Sequence, residues 1–208
     1  MDIKVNSRAV ECFDAQFQRQ VSSADYALNP FEKAALPFMF GDVLDLGCGM
    51  GNLSVAAAQQ GCRVTALDGS RTAVADLERR ARELQLPITA EQADLREIAI
   101  DQQFDCIVCI GLLMFFPKAT ALKNLAKIRE MVKPNGIVAV NVFIEGTTFL
   151  TMTELGQYYL FSETELPDFF SEWRMEYQKV ESFEAPNQTV KRFCTVVARR
   201  PNISTSGL

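Results

Sequence analysis

The chain has 208 residues, 48% of them apolar, with 21 basic residues against 26 acidic ones and no histidine. That length suits one α/β domain with a full core, and a net charge of −5 argues against a polyanionic partner unless the basic residues gather on one face. No apolar run reaches the roughly 20 residues a membrane helix needs, and the first residues carry no signal-peptide core, so a cytoplasmic protein with no membrane partner is expected.

In chain order, residues 1–40 are helical in flavour, with breaks at Asn29-Pro30 and Pro37, and are expected to cover a cleft rather than join a sheet. From residue 42 strand and helix alternate, with strands near 43–47, 63–67, 88–92, 104–110 and 136–143. Stretches 76–86 and 118–132 are charged on one side and apolar on the other, as helices that cover a sheet are. This alternation predicts an α/β fold with a doubly wound, mostly parallel sheet. An S-x-x-E pattern at Ser162 and Glu165 starts a short helix, and two last strands follow at about 175–184 and 190–199. No linker divides the chain, so 1–200 is expected to form one domain and 201–208 a flexible tail.

The stretch Val43-Leu44-Asp45-Leu46-Gly47-Cys48-Gly49-Met50-Gly51-Asn52 runs from a buried strand into a glycine-rich turn, and an alanine-rich helical pattern follows. That junction is the ligand crevice of an open α/β sheet. Gly47, Gly49 and Gly51 let a ligand approach the backbone N–H groups. A dinucleotide fingerprint wants its last glycine at the sixth position, where this chain has Asn52. Asp45 would be unfavourable beside a pyrophosphate and favourable beside an α-amino group. Asp68 closes the second strand, where a carboxylate can accept from the hydroxyls of a ribose, and Asp94 follows the third, within reach of a purine amine. Amine, ribose and adenine in that order describe S-adenosylmethionine. An isolated Asp after a strand is also a common helix cap, which is the plainer reading of Asp68 and Asp94.

Six cysteines without a secretory signal read as reduced thiols. Cys106 and Cys109 form a CxxC, but on a strand residues three apart face opposite sides, so two core thiols are expected rather than a metal or redox pair. No metal site is expected.

Taken together, LDLGCGMGNLS, VTALDGS, EQADLRE, FDCIVCIGLLMFFP and KPNGIVAVNVF resemble the class I S-adenosylmethionine-dependent methyltransferases over nearly the whole chain. The run LMFFP at 113–117 and the ending VKRFCTVVAR at 190–199 look like the tellurite-resistance-type small-molecule methyltransferases within that superfamily. The resemblance implies a Rossmann-like, seven-stranded sheet with an antiparallel C-terminal strand. It implies a helical cover over 1–40, an S-adenosylmethionine-binding core over 41–145 and a substrate-side segment with the terminal strands over 146–200. Asp45, Gly47, Gly49 and Gly51 would then surround the methionine end, Asp68, Gly69 and Ser70 the ribose, and Asp94 with Leu95 the adenine. Gly111 and Leu112 would border the sulfonium, and Tyr26 and Arg192 match positions on the substrate side, where Arg192 could pair with an anionic acceptor.

The reaction so implied is methyl transfer to a small-molecule acceptor, a thiol or chalcogen species, with S-adenosylhomocysteine as product. Without histidine the commonest general base is missing, which favours a soft or already ionised acceptor. Residues 111–114 are GLLM rather than the Asn/Asp-Pro-Pro-aromatic motif of many nucleic-acid base-amino methyltransferases, so no nucleic-acid partner is expected. Phe183 and Glu184 replace a His-Arg pair that tellurite-resistance-type enzymes can carry, which speaks against an oxyanion acceptor. The protein is expected as a monomer or homodimer. A silent module that binds S-adenosylmethionine or S-adenosylhomocysteine, and a dinucleotide-dependent oxidoreductase, are the alternative readings.

Overall fold

The computed structural model describes residues 8–202. The first seven residues of the expected cover, and the expected tail from residue 203 on, lie outside the described residues. Two helices come first, α1 (Arg8–Ser23) and α2 (Pro30–Ala35). Asn29-Pro30 is a start as well as a break. The Asn29 side chain accepts from the backbone N–H groups of Phe31 and Glu32, both at 2.9 Å, and the Glu32 carboxylate accepts from Asn29 N at 2.7 Å. Proline at the first helical position then loses no hydrogen bond.

Strand and helix then alternate through β1 (Asp42–Leu46), α3 (Asn52–Gln59), β2 (Arg63–Asp68), α4 (Arg71–Glu83), β3 (Ile88–Gln92) and β4 (Phe104–Ile110). After these come α5 (Lys118–Met131), β5 (Val132–Phe143), α6 (Glu165–Phe169), β6 (Arg174–Ala185) and β7 (Thr189–Arg199). The seven strands form one sheet in the order β3-β2-β1-β4-β5-β7-β6. Strands β1 to β5 are mutually parallel, and β7 runs antiparallel between β5 and β6. This is the doubly wound, mostly parallel sheet that the alternation predicted. The order reverses between β1 and β4, and the carboxyl ends of those strands open a crevice there.

Two elements start elsewhere than expected. Strand β5 begins at Val132, immediately after α5, because its pairing with β4 continues across an irregularity: Phe104 pairs with Val132, then Cys106 with Ile137. Asn135, at φ 62°, takes up the extra length, so Pro134-Asn135-Gly136 bulges a strand rather than preceding one. Helix α6 begins at Glu165, not Ser162, although the expected reciprocal bonds are made: Glu165 N donates to Ser162 Oγ and Ser162 N to Glu165 Oε2, each at 3.2 Å.

Alternation along each strand sends side chains to two cores. One lies under α5 and α6, with Leu125, Ile128, Phe161 and Phe170 fully buried; the other lies under α2, α3 and α4, with Ala57 and Leu77 at its centre. Cys109 belongs to the first and Cys106 to the second, as strand parity required, and all six cysteines are free thiols. No helix among the described residues is long and apolar enough to cross a membrane.

Candidate functional site

The glycine turn after β1 is held by its neighbours rather than by its own side chains. Gly47 N and Cys48 N both donate to Leu67 O in β2, at 2.8 and 3.1 Å, and Gly51 N turns back to Cys48 O at 2.8 Å. Gly49 sits at φ 51° with its N–H on Asp68 Oδ2 at 2.8 Å, while Ser70 N donates to Asp68 Oδ1 at 2.7 Å. One carboxylate therefore joins the turns after β1 and β2. Burial pushes the Asp68 pKa up, against the opposing pull of those backbone donors. Ser70 caps α4 by accepting from Ala73 N at 3.1 Å, and its hydroxyl also donates to Asp14 of α1. The capping reading of this region thus belongs to Ser70, with Asp68 supporting the loops.

These turns open into a cavity of about 640 Å³ lined by Asp45, Gly47, Gly49, Asp68, Gly69, Ser70, Asp94, Leu95, Gly111 and Leu112. Of the residues expected at the donor, all but Gly51 line it; Gly51 turns towards Leu77 of α4 instead. Their chemistry is uneven. Asp45 is 5% exposed, accepts from Ser54 Oγ at 2.6 Å, and has its pKa pushed up to about 7 by burial, with the Glu32 and Asp68 carboxylates adding to the shift. Asp94 stands at the wall with both oxygens engaged by the Arg96 side chain and one also by Arg96 N at 3.0 Å, which holds its carboxyl below the usual range. Asn141 on β5 donates to Thr195 Oγ1 at 2.9 Å, but its amide oxygen is buried in the cavity wall without a hydrogen-bond partner. Gly111, at φ 71°, has nothing within 4 Å of where a Cβ would stand.

A buried carboxyl and an orphaned amide oxygen in one wall call for a cationic or hydrogen-bond-donating ligand. S-adenosylmethionine meets that demand with an ammonium, a sulfonium and hydroxyl donors, so the residues fit it.

Two expected site residues lie elsewhere. Tyr26 is outside the cavity wall: its ring lies 4.2 Å under the Arg80 guanidinium and its hydroxyl is 3.4 Å from Asp76, which pairs with Arg80 at 2.9 Å. The side chain is spent on holding the cover to α4. Arg192 also points away, donating to Glu145 O at 2.7 Å and pairing with Glu163 at 3.0 Å. Its neighbour on β7, Lys191, faces the cavity instead. Much of the remaining wall is aromatic, with Phe17 over the glycine turn and Phe31, Phe115, Phe143 and Phe193 beyond it; none of these was expected in the site.

The sheet order, the glycine turn and the three acids at successive strand ends define a class I methyltransferase fold. Residues 43–136 match the family model of the methyltransferase domain. A putative methyltransferase of Bacillus subtilis (strain 168), YqeM, is 34% identical over 113 residues, 53% of this chain and 45% of that protein. The chain spans about half the length of the curated relatives it matches. Among solved structures, TehB from Haemophilus influenzae superposes with a TM-score of 0.71 at 22% identity, over 87% of this chain and 65% of the other. A protein described with the conversion of a disulfide bond into a thioacetal group during echinomycin biosynthesis superposes with a TM-score of 0.66 at 22% identity, over 95% and 94%.

Proposed function

We propose that the chain binds S-adenosylmethionine in this cavity and transfers its methyl group to a small-molecule acceptor. The observation that carries the reading is the convergence of the glycine turn with Asp45, Asp68 and the unpartnered Asn141 oxygen on one enclosed space at the sheet's switch point. When bound, S-adenosylmethionine supplies an electrophilic methyl group on a sulfonium whose sulfur keeps the bonding pair as S-adenosylhomocysteine forms.

The chain's own residues position and enclose. Asp45 neutralises the donor's ammonium, and the loops joined by Asp68 hold the ribose region. Leu112 and Phe17 keep water from the glycine turn. No histidine is present to take a proton. This favours an acceptor that arrives soft or ionised, a thiolate or a chalcogen species, for which in-line displacement needs no base. The described chemistry of the echinomycin relative, at sulfur, supports that preference.

Release of S-adenosylhomocysteine against a panel of thiols, selenite, tellurite, amines and carboxylates tests the reading, with binding of S-adenosylhomocysteine followed by calorimetry. Turnover on a soft acceptor is expected. Binding without turnover on any acceptor would turn the protein into a sensor, and no binding would remove the donor assignment. Asp68→Ala is expected to weaken S-adenosylhomocysteine by about 1–3 kcal/mol through lost hydroxyl hydrogen bonds and freed turns. Unchanged affinity would take Asp68 out of the site.

A further inference from the structure

The far half of the cavity has a chemistry unlike the glycine turn. Phe115, Phe143, Phe193 and Phe31 form a continuous series of ring contacts, with centroids 6.1, 4.8 and 4.6 Å apart in turn. All four line the cavity, and Lys191 enters it from β7, where it shares a face with Phe193 two residues on. The Lys191 ammonium lies 4.2 Å from the centroid of the Phe149 ring. Among the described residues no carboxylate pairs with it, and burial pulls its pKa down. The adjacent Arg192, on the other face, has its own carboxylate in Glu163. A cation set against aromatic rings regains only part of the hydration it has lost, and a fixed anion would restore the rest.

We infer that this half of the cavity takes a compact aromatic or apolar organic monoanion, its charge held by Lys191 and its body packed on Phe143 and Phe193. The inference rests on reading the cavity as a methyltransferase site and names the acceptor class for it. A cation would meet the Lys191 charge, and a neutral arene would leave that charge unpaired. A small hydrated oxyanion such as selenite would give up water to phenylalanine walls that offer no hydrogen bonds. An arene or short alkyl chain bearing one carboxylate or thiolate satisfies the lysine and the rings together.

Calorimetry with benzoate, added to the full chain saturated with S-adenosylhomocysteine, tests this. Benzoate is expected to bind, and Lys191→Met to weaken it about tenfold or more while leaving S-adenosylhomocysteine affinity unchanged. Lys191→Arg is expected to restore most of the loss. Benzyl alcohol should bind wild type and Lys191→Met alike, and selenite should not compete with benzoate. Arg192→Gln removes the neighbouring charge from the other face and is expected to change benzoate binding by no more than about twofold, as a screened surface charge does. Benzoate that does not bind, benzoate bound equally by wild type and Lys191→Met, or displacement by selenite would overturn the inference. Should S-adenosylhomocysteine itself fail to bind, the methyltransferase reading falls, and the same benzoate comparison on the protein alone still decides the role of Lys191.

Discussion

Replacing Asp45 with asparagine is expected to make the ligand-free protein more stable and its hold on S-adenosylhomocysteine much weaker. Burial lifts the Asp45 pKa from an ordinary 3.8 to about 7. Between those values the folded protein keeps a proton that the unfolded chain releases. Stability therefore falls as pH rises through that window, by up to about 4 kcal/mol for the full shift. Above pH 7 the free protein holds an ionised carboxylate whose chief support is the Ser54 hydroxyl. Asparagine keeps that hydrogen bond and removes the charge. The thermal midpoint of ligand-free Asp45→Asn at pH 8 should rise by several degrees, since about 1 kcal/mol corresponds to 2–4 °C at this size. The same change deletes the proposed partner of the donor's ammonium, and affinity should fall by about 2–3 kcal/mol at pH 8. In wild type, binding should strengthen as pH rises through about 7. A variant that binds as tightly as wild type at pH 8 would disconnect Asp45 from the donor.

The second large effect is expected at Gly51. It caps α3 at φ 64° and ψ 28°, a left-handed conformation that costs an alanine about 1–2 kcal/mol. A Cβ there would stand 2.5 and 2.6 Å from the two methyl carbons of Leu77 and 2.9 Å from its branch carbon. Leu77 is completely buried, so the whole side chain, and α4 with it, must move. Overpacking of that kind adds about 1–3 kcal/mol. Gly51→Ala should lower the thermal midpoint by roughly 5–15 °C and reduce donor binding, because α4 carries Ser70 at its start. Gly111→Ala is the control: its φ of 71° is equally unfavourable, but no atom lies within 4 Å, so only the backbone cost of about 1–2 kcal/mol should appear. Equal destabilisation by the two variants would mean that Leu77 yields freely.

Gly51 also marks where local reasoning stops. Its spacing identified a ligand turn, and the turn is there, but the absence of its Cβ serves packing between helices rather than approach to a ligand. The convergence of the glycine turn with Asp45, Asp68 and Asp94 was legible because it follows a local rule: glycines and acids at the ends of successive parallel strands come together whatever the rest of the chain does. The far half obeys no such rule. Phe31, Phe115, Phe143 and Phe193 come from a cover helix, a short turn and two strands, and only the assembled sheet sets them in contact. Lys191 and Arg192, adjacent on a strand, face opposite ways, yet parity alone does not say which faces in. The register does: Phe193 lies across from Phe143, and residues two apart share a side. Tyr26 lies in a link without periodicity, and its fate was decided by a buried arginine more than fifty residues later.

Strand β7 is the last of the seven in chain order and yet lies inside the sheet, with β5 on one side and β6 on the other. Emerging from a ribosome, the chain has therefore made the glycine turn and its acids well before Lys191 and Phe193 exist. The two halves of the cavity are separate in the time of synthesis as they are in sequence. Variation in the closing hairpin can accordingly retune what the far half of the cavity accepts while the residues proposed to hold the donor stay as they are.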